Sequence, residues 1–263
     1  MIDLLLERAA RMGVPMTPAQ AEKFQIYHNM LVERNAQFNL TRVPDDLSEA
    51  IDRNYLDCAA PLAHGFPRND TVAAPLTRNL PRVNTPFAPS VSGFPQIETA
   101  IDVGSGAGFP GIPLSILLPD THFVLMDALG KRVDFLNDVI FALNLNAEAV
   151  HMRAEDGAKR PEYREKFDLA TARAVASVNV LSEYLLPFVK VGGKMLCYKG
   201  PNLDEELAQA ENALRILGGK IEKIGNANIP DRDWNHKLCW IVKIAPTPKQ
   251  YPRKAGKPEK NPL

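Results

Sequence analysis

The stretch "IDVGSGAGFPGIPL" (residues 101–114) decides the fold. A short apolar run ends in Asp102 and Val103, four glycines crowd the next eight residues, and helical periodicity follows from Ile112. This is a strand, a tight turn and a helix. In a doubly wound sheet such a turn lies at the carboxyl ends of the strands, where nucleotide-like ligands bind.

Two ligand classes compete for the loop. Gly106, Gly108 and Gly111 spell the G-x-G-x-x-G of dinucleotide-binding proteins, a weak signal when it stands alone. Pyrophosphate needs free N–H groups at the helix N-terminus. Pro110 and Pro113 carry none, and both must fall in the first turn because proline breaks a helix interior. Asp102 would also repel a phosphate. S-adenosylmethionine has no phosphate but carries an ammonium and a sulfonium. Gly104, Gly106 and Gly108 let backbone approach its methionine portion, and Asp102 is expected to favour its cationic end, directly or through a water. Asp127 ends the next strand, where an acid can accept both ribose hydroxyls. Ala154 and Glu155 follow the third strand, where backbone and acid can read the adenine edge.

Outward from the loop, the runs "AIDV", "THFVLMD", "AEAVHM", "FDLATA" and "GKMLCYK" read as buried strands. Stretches of helical period at 112–118, 131–143, 178–189 and 204–217 lie between them. Strands near 219–224 and 238–244 complete the set. Alternation of this kind predicts a mostly parallel sheet covered on both faces, an α/β doubly wound domain over 100–245. An N-terminal helical segment, 1–64, precedes it. Thr17, Pro18 and Gln20 form a helix start with a capping box, and Phe24, Tyr27, His28, Leu31 and Val32 make one apolar stripe. A third helix is expected over 47–62. Residues 65–99 carry scattered prolines and read as a linker or insertion. Residues 246–263 are a basic tail.

The bulk properties bound the function. A 263-residue chain with 45% hydrophobic and 24% charged residues is an ordinary globular protein, and its formal net charge is zero. A nucleic-acid partner must therefore meet a local basic patch. No apolar run reaches the roughly 18 residues of a membrane span, and the first residues resemble neither a signal nor a transit peptide. Three scattered cysteines suggest no disulfide framework and no metal site. A cytoplasmic protein, and a monomer, are the expectations.

The motifs taken together resemble the 16S rRNA guanine-N7 methyltransferase family, methyltransferase G of the bacterial small ribosomal subunit, also called glucose-inhibited division protein B. The likeness runs through "FNLTRV" (38–43), "LDCAAPL" (56–62), the glycine loop, "MDALGKRVDFL" (126–136), "RAED" (153–156), "ATARAVAS" (170–177), "YKG" (198–200) and "YPRKAGKPEKNPL" (251–263). It implies a class I (Rossmann-like) S-adenosylmethionine-dependent methyltransferase fold. The cofactor positions it carries over are Gly104, Phe109, Ala154, Glu155 and Arg173, and Asp127 matches the usual ribose acid. It also implies the substrate: 16S rRNA within the small subunit or its precursor, methylated at a guanine N7 in the decoding-region 530 loop. The chain departs from the family at Asn54, where a histidine usually precedes "LDS", and in the proline-rich stretch.

Guanine N7 is a lone pair without a proton, so this chemistry calls for alignment and no general base. No catalytic residue is assigned, and His28 and His151 read as packed residues. Arg173 ends the fourth strand, where it meets cofactor or RNA phosphate, or pairs with Asp102, Asp127 or Glu155. Lys199 ends the fifth and is a candidate for positioning RNA. Arg42, Lys131 and Arg132 are further RNA candidates, as are Tyr251, Arg253, Lys254 and Lys257 of the tail, where the tyrosine offers a stacking ring. The rivals are an NAD(P)-binding Rossmann oxidoreductase, a methyltransferase acting on another substrate, and a ribosome-associated binding protein with a vestigial loop.

Overall fold

The computed structural model describes residues 1–63, 97–173 and 176–263; most of the proline-rich stretch falls outside them. In chain order the elements are α1 (Ile2–Met12), α2 (Pro18–Gln37), α3 (Leu47–Ala50), a π-helical segment (Ile51–Leu56), α4 (Asp57–Ala63), β1 (Thr99–Val103), α5 (Gly111–Leu117), β2 (His122–Asp127), α6 (Gly130–Leu143), β3 (Ala147–His151), α7 (Ala154–Gly157), β4 (Phe167–Arg173), α8 (Val178–Leu185), β5 (Val189–Lys199), α9 (Leu203–Leu217), β6 (Gly219–Asn226), β7 (Lys237–Lys243) and α10 (Lys257–Lys260). The expected strands and helices all form. The third helix is continuous as expected, but it widens into a π-helix over six residues. Such widening is rare and recurs at functional sites.

The sheet has seven strands in the order β3-β2-β1-β4-β5-β7-β6. β1 to β5 run parallel, and β7 is antiparallel to both neighbours. Strand order reverses between β1 and β4, so the carboxyl ends of these two strands flank a natural crevice. This is the class I methyltransferase fold.

Alternation along each strand assigns the two faces. Ala100, Phe123 and Leu125 join a core with α1, α2, α5 and α6, while Ile101, Val103, Val124 and Met126 join one with α8 and α9. The N-terminal helices are therefore part of the main core. Phe24, Tyr27 and Leu31 of α2, from the predicted stripe, are fully buried against it, whereas Val32 is exposed. The capping box forms as read: Thr17 Oγ1 accepts from the Gln20 N–H, and the Gln20 side chain accepts from the Thr17 N–H. Asp52, fully buried in the π-helical segment, takes Arg8 of α1 at 2.7 Å and Arg232 at 2.6 Å. That cluster clamps the first helix and the β6–β7 connection onto the segment that carries Asn54. The three cysteines are free and buried.

Candidate functional site

The loop after β1 is built from its own backbone. Gly104 and Gly106 sit at φ 74° and 60°, a region glycine enters without strain. The Gly104 and Ser105 N–H groups donate to Met126 O, Gly106 N–H to Asp127 Oδ2 at 2.8 Å, Gly108 and Phe109 N–H to Ser105 O, and Gly111 N–H to Asp102 Oδ2 at 2.9 Å. Pro110 caps α5 and Pro113 lies in its first turn, so neither adds a donor. The N–H groups of Gly104, Ser105, Gly106, Gly108, Phe109 and Gly111 are thus spent within the protein, which leaves few for a pyrophosphate. That spending favours a donor without phosphate over a dinucleotide.

The three strand-end acids are all buried and hydrogen-bonded to nearby backbone. Asp102 is fully buried beneath the loop and cannot reach a ligand directly. One of its oxygens holds Gly111 and the other, Oδ1, has no hydrogen-bond partner among the described residues. Burial pushes its pKa up to about 7, against the Gly111 and Ser105 hydrogen bonds. Asp127 is 3% exposed; its Oδ1 accepts from Leu129 N–H, its Oδ2 from Gly106 N–H, and Arg132 approaches at 3.5 Å. Glu155 is 5% exposed and accepts from Gly256 N–H. Carboxylates at strand ends are strong acceptors for N–H groups left bare by tight turns, and each of these three takes at least one. Gly108 is likewise structural. A Cβ there would lie 2.6 Å from Ile112 and 2.9 Å from the Tyr27 hydroxyl, so the side-chain-free backbone makes room for α2. Tyr27 in turn donates to Ala107 O at 2.6 Å, so an N-terminal helix fixes the loop.

Phe109 is buried, and its ring packs on Tyr27 and Tyr55. Above it, 4.8 Å from the ring centroid, lies the Arg173 guanidinium. The expected ion pair of Arg173 with Asp102, Asp127 or Glu155 does not form. Arg173 pairs with Asp57 at 3.2 Å and donates to Arg53 O at 2.8 Å. Burial opposes its charge, but Cys58, Asp57 and Tyr198 around it keep the pKa raised. Asp57 also takes His236 Nδ1 at 2.8 Å.

Arg173 lines a cavity of about 440 Å³ together with Arg42, Asn54, Asp57, Tyr198 and His236. It opens where the carboxyl ends of β4 and β5 meet the N-terminal segment. Asp57, Tyr198 and His236 were missed in the sequence reading; "LDC" held Asp57, but nothing local links it to residues more than a hundred positions away. Arg42 is exposed at the cavity. Lys199 lines it too, with its nitrogen held by Glu206 at 2.7 Å and by Ala176 O. A second cavity of about 570 Å³ lies beyond β2 and β3, lined by Ala128, His151, Met152, Arg153 and Asp156; Ala154 and Glu155 open the adjoining α7. His28 meets the Tyr55 hydroxyl at 2.9 Å, and burial lowers its pKa. Lys131 is exposed and lies over the Phe38 ring.

The tail is docked. Arg253 donates to both oxygens of Glu183, itself 1% exposed, at 2.6–3.0 Å. Arg164 holds the carbonyls of Thr247 and Tyr251. Arg253 and the half-buried Tyr251, which packs on the second core, are thus structural; Lys254 and Lys257 are exposed.

A family profile described as rRNA small subunit methyltransferase G (GidB) matches residues 87–234. Curated relatives of that name match almost end to end: 40% identity in Clostridium perfringens over 99% of this chain and 98% of the relative, 41% in Clostridium beijerinckii over 99% and 98%, and 43% in Acetivibrio thermocellus over 99% and 96%. The chain belongs to the rRNA small subunit methyltransferase G family. It is an S-adenosyl-L-methionine-dependent methyltransferase of small-subunit 16S rRNA. The loop geometry agrees with that donor, since it offers side-chain-free backbone at Gly104 and Gly106. No helix among the described residues is long and apolar enough to cross a membrane.

Proposed function

We propose that the chain methylates N7 of a single guanine in the 530 loop of 16S rRNA. The observation that carries this reading is the cavity beside the glycine loop, joined to it by the Phe109–Arg173 stack and bordered by Arg42, Arg53 and Lys237. A flipped-out base fits the hollow, and cations at its border suit the flanking phosphates.

S-adenosyl-L-methionine supplies an electrophilic methyl group on a cationic sulfur. We assign its methionine portion to the backbone of Gly104 and Gly106, its ribose to the second lone pairs of the Asp127 oxygens, and its adenine to the backbone of Ala154 and Glu155. Asp102 and Gly108 hold the loop in shape from below. Phe109 and Arg173 form the wall between donor and base. Arg173 keeps its charge neutralised by Asp57, so no uncompensated cation stands beside a guanine that becomes positive as its N7 is alkylated. The site is expected to work in the cytoplasm, on the subunit or its precursor.

N7 needs no base. His236, oriented by Asp57, would be the base for a nitrogen that bears a proton. The two readings separate on His236→Gln with small-subunit RNA as substrate. Retention of 7-methylguanosine formation within about tenfold supports N7; a loss on the order of a thousandfold moves the target to a protonated nitrogen. Gly104→Val is expected to abolish donor binding in calorimetry while the fold persists. Retained affinity would place the donor elsewhere.

A further inference from the structure

Asn54 lies in the π-helical segment, is 3% exposed and lines the 440 Å³ cavity. Its amide nitrogen Nδ2 has no hydrogen-bond partner among the described residues. A buried amide donor left unpaired destabilises a fold by about 1–3 kcal/mol. Its polar neighbours in the wall are committed: Arg173 to Asp57 and Arg53 O, His236 to Asp57, Tyr198 to Cys58 O, Lys199 to Glu206. The wall of the cavity therefore contains a buried side-chain donor with no acceptor among the described residues.

The base proposed for this cavity supplies one. On the guanine edge that carries N7, the adjacent group is O6, an acceptor; adenine places an amino donor there. An arginine fork reads guanine by covering O6 and N7 together, which would cap the very lone pair that must react. A single amide N–H on O6 fixes the base in plane and leaves N7 open. Arg173 is anchored through Nη1 to Asp57 and the Arg53 carbonyl and lies over the Phe109 ring.

We infer that Asn54 is the specificity-determining residue of the site, donating Nδ2–H to O6 of the target guanine. This rests on the N7 reading above. The test uses the full-length enzyme, S-adenosyl-L-methionine and small-subunit RNA carrying either guanine or 2-aminopurine at the target; the analogue keeps N7 and lacks O6. For the wild-type enzyme, the analogue is expected to lower kcat/KM by about 10–100-fold. Asn54→Ala should lower kcat/KM on guanine to a similar degree, and the analogue should then add less than threefold. Asn54→Asp, which sets an acceptor against O6, should fall below Asn54→Ala. Donor affinity should be unchanged in Asn54→Ala and Tm unchanged or higher, because the truncation removes a buried N–H donor that has no partner among the described residues.

An Asn54→Ala enzyme within twofold of wild type on guanine overturns the inference. So do penalties that multiply, or a Tm loss of several degrees. If the wild-type product is not 7-methylguanosine, the N7 reading falls and this inference with it. If that product forms but Asn54→Ala changes nothing, only the role of Asn54 falls.

Discussion

The cavity wall and the C-terminal tail are both cationic in sequence, and the fold treats them in opposite ways. At the cavity, Arg42, Arg53 and Lys237 border an open hollow, and the one acid among the lining residues, Asp57, is shared between Arg173 and His236. In the tail, Arg253 is gripped by a nearly buried Glu183, and Gly256 is tied to Glu155. The number of cations is therefore a poor guide to where RNA is met. What matters is whether a buried acid has already claimed them.

Arg173→Ala is the largest break in this contrast. It strips Asp57 of its cation and removes the wall over Phe109. Loss of one partner of a buried pair costs about 3–5 kcal/mol, with His236 softening it toward the lower end. Methyl transfer should fall at least about a hundredfold, and denaturant unfolding should record the stability loss. Arg173→Lys should not restore activity, because an ammonium cannot reproduce the planar fork. Activity within tenfold of wild type would put the reacting base outside this cavity.

Asp102 sharpens the contrast as an acid no cation has reached. Its folded pKa, about 7, stands above its ordinary 3.8 because burial disfavours the charge. The folded state therefore favours the protonated form. The associated stability is fully present below pH 4 and is lost as pH rises through 7. Relative to Asp102→Asn, wild type should lose a few kcal/mol across that window and run parallel to it outside. A constant difference from pH 4 to 8 would mean the carboxyl is ionised in the fold.

Glu183→Ala comes next. It strands a partly buried Arg253 and frees the tail. A loss of about 2–3 kcal/mol is expected, with faster amide exchange over residues 251–258. The smallest effect belongs to Lys254, Lys257 and Lys260 changed together to alanine. Stability should stay within about 0.5 kcal/mol. The slope of log affinity for RNA against log salt should shrink by up to about one per lysine that contacts a phosphate, with donor affinity unchanged. An unaltered slope would leave RNA contact to the cavity border alone.

What the sequence by itself determined is the periodic and the local. Alternating apolar runs set seven strands, the helical stripe of Phe24, Tyr27 and Leu31 set the face of α2, and Pro110 and Pro113 counted against pyrophosphate in the loop. Each of these depends on neighbours within a few residues, so it is written in the chain. What only the tertiary structure decided is the partner of each charge. Asp127 looked like a ligand acid alone and is also a brace, because Gly106 and Leu129 turn their N–H groups onto it. Arg253 looked free and is bound to Glu183, 70 residues away. Asn54 looked like a mere departure and became a lone donor in a cavity, because Arg173, Asp57 and His236, spread over 179 positions, close on one another around it. Electrostatic and hydrogen-bond partners are chosen by distance in space, and a sheet that joins β4, β5 and an N-terminal helix sets those distances without leaving a local trace.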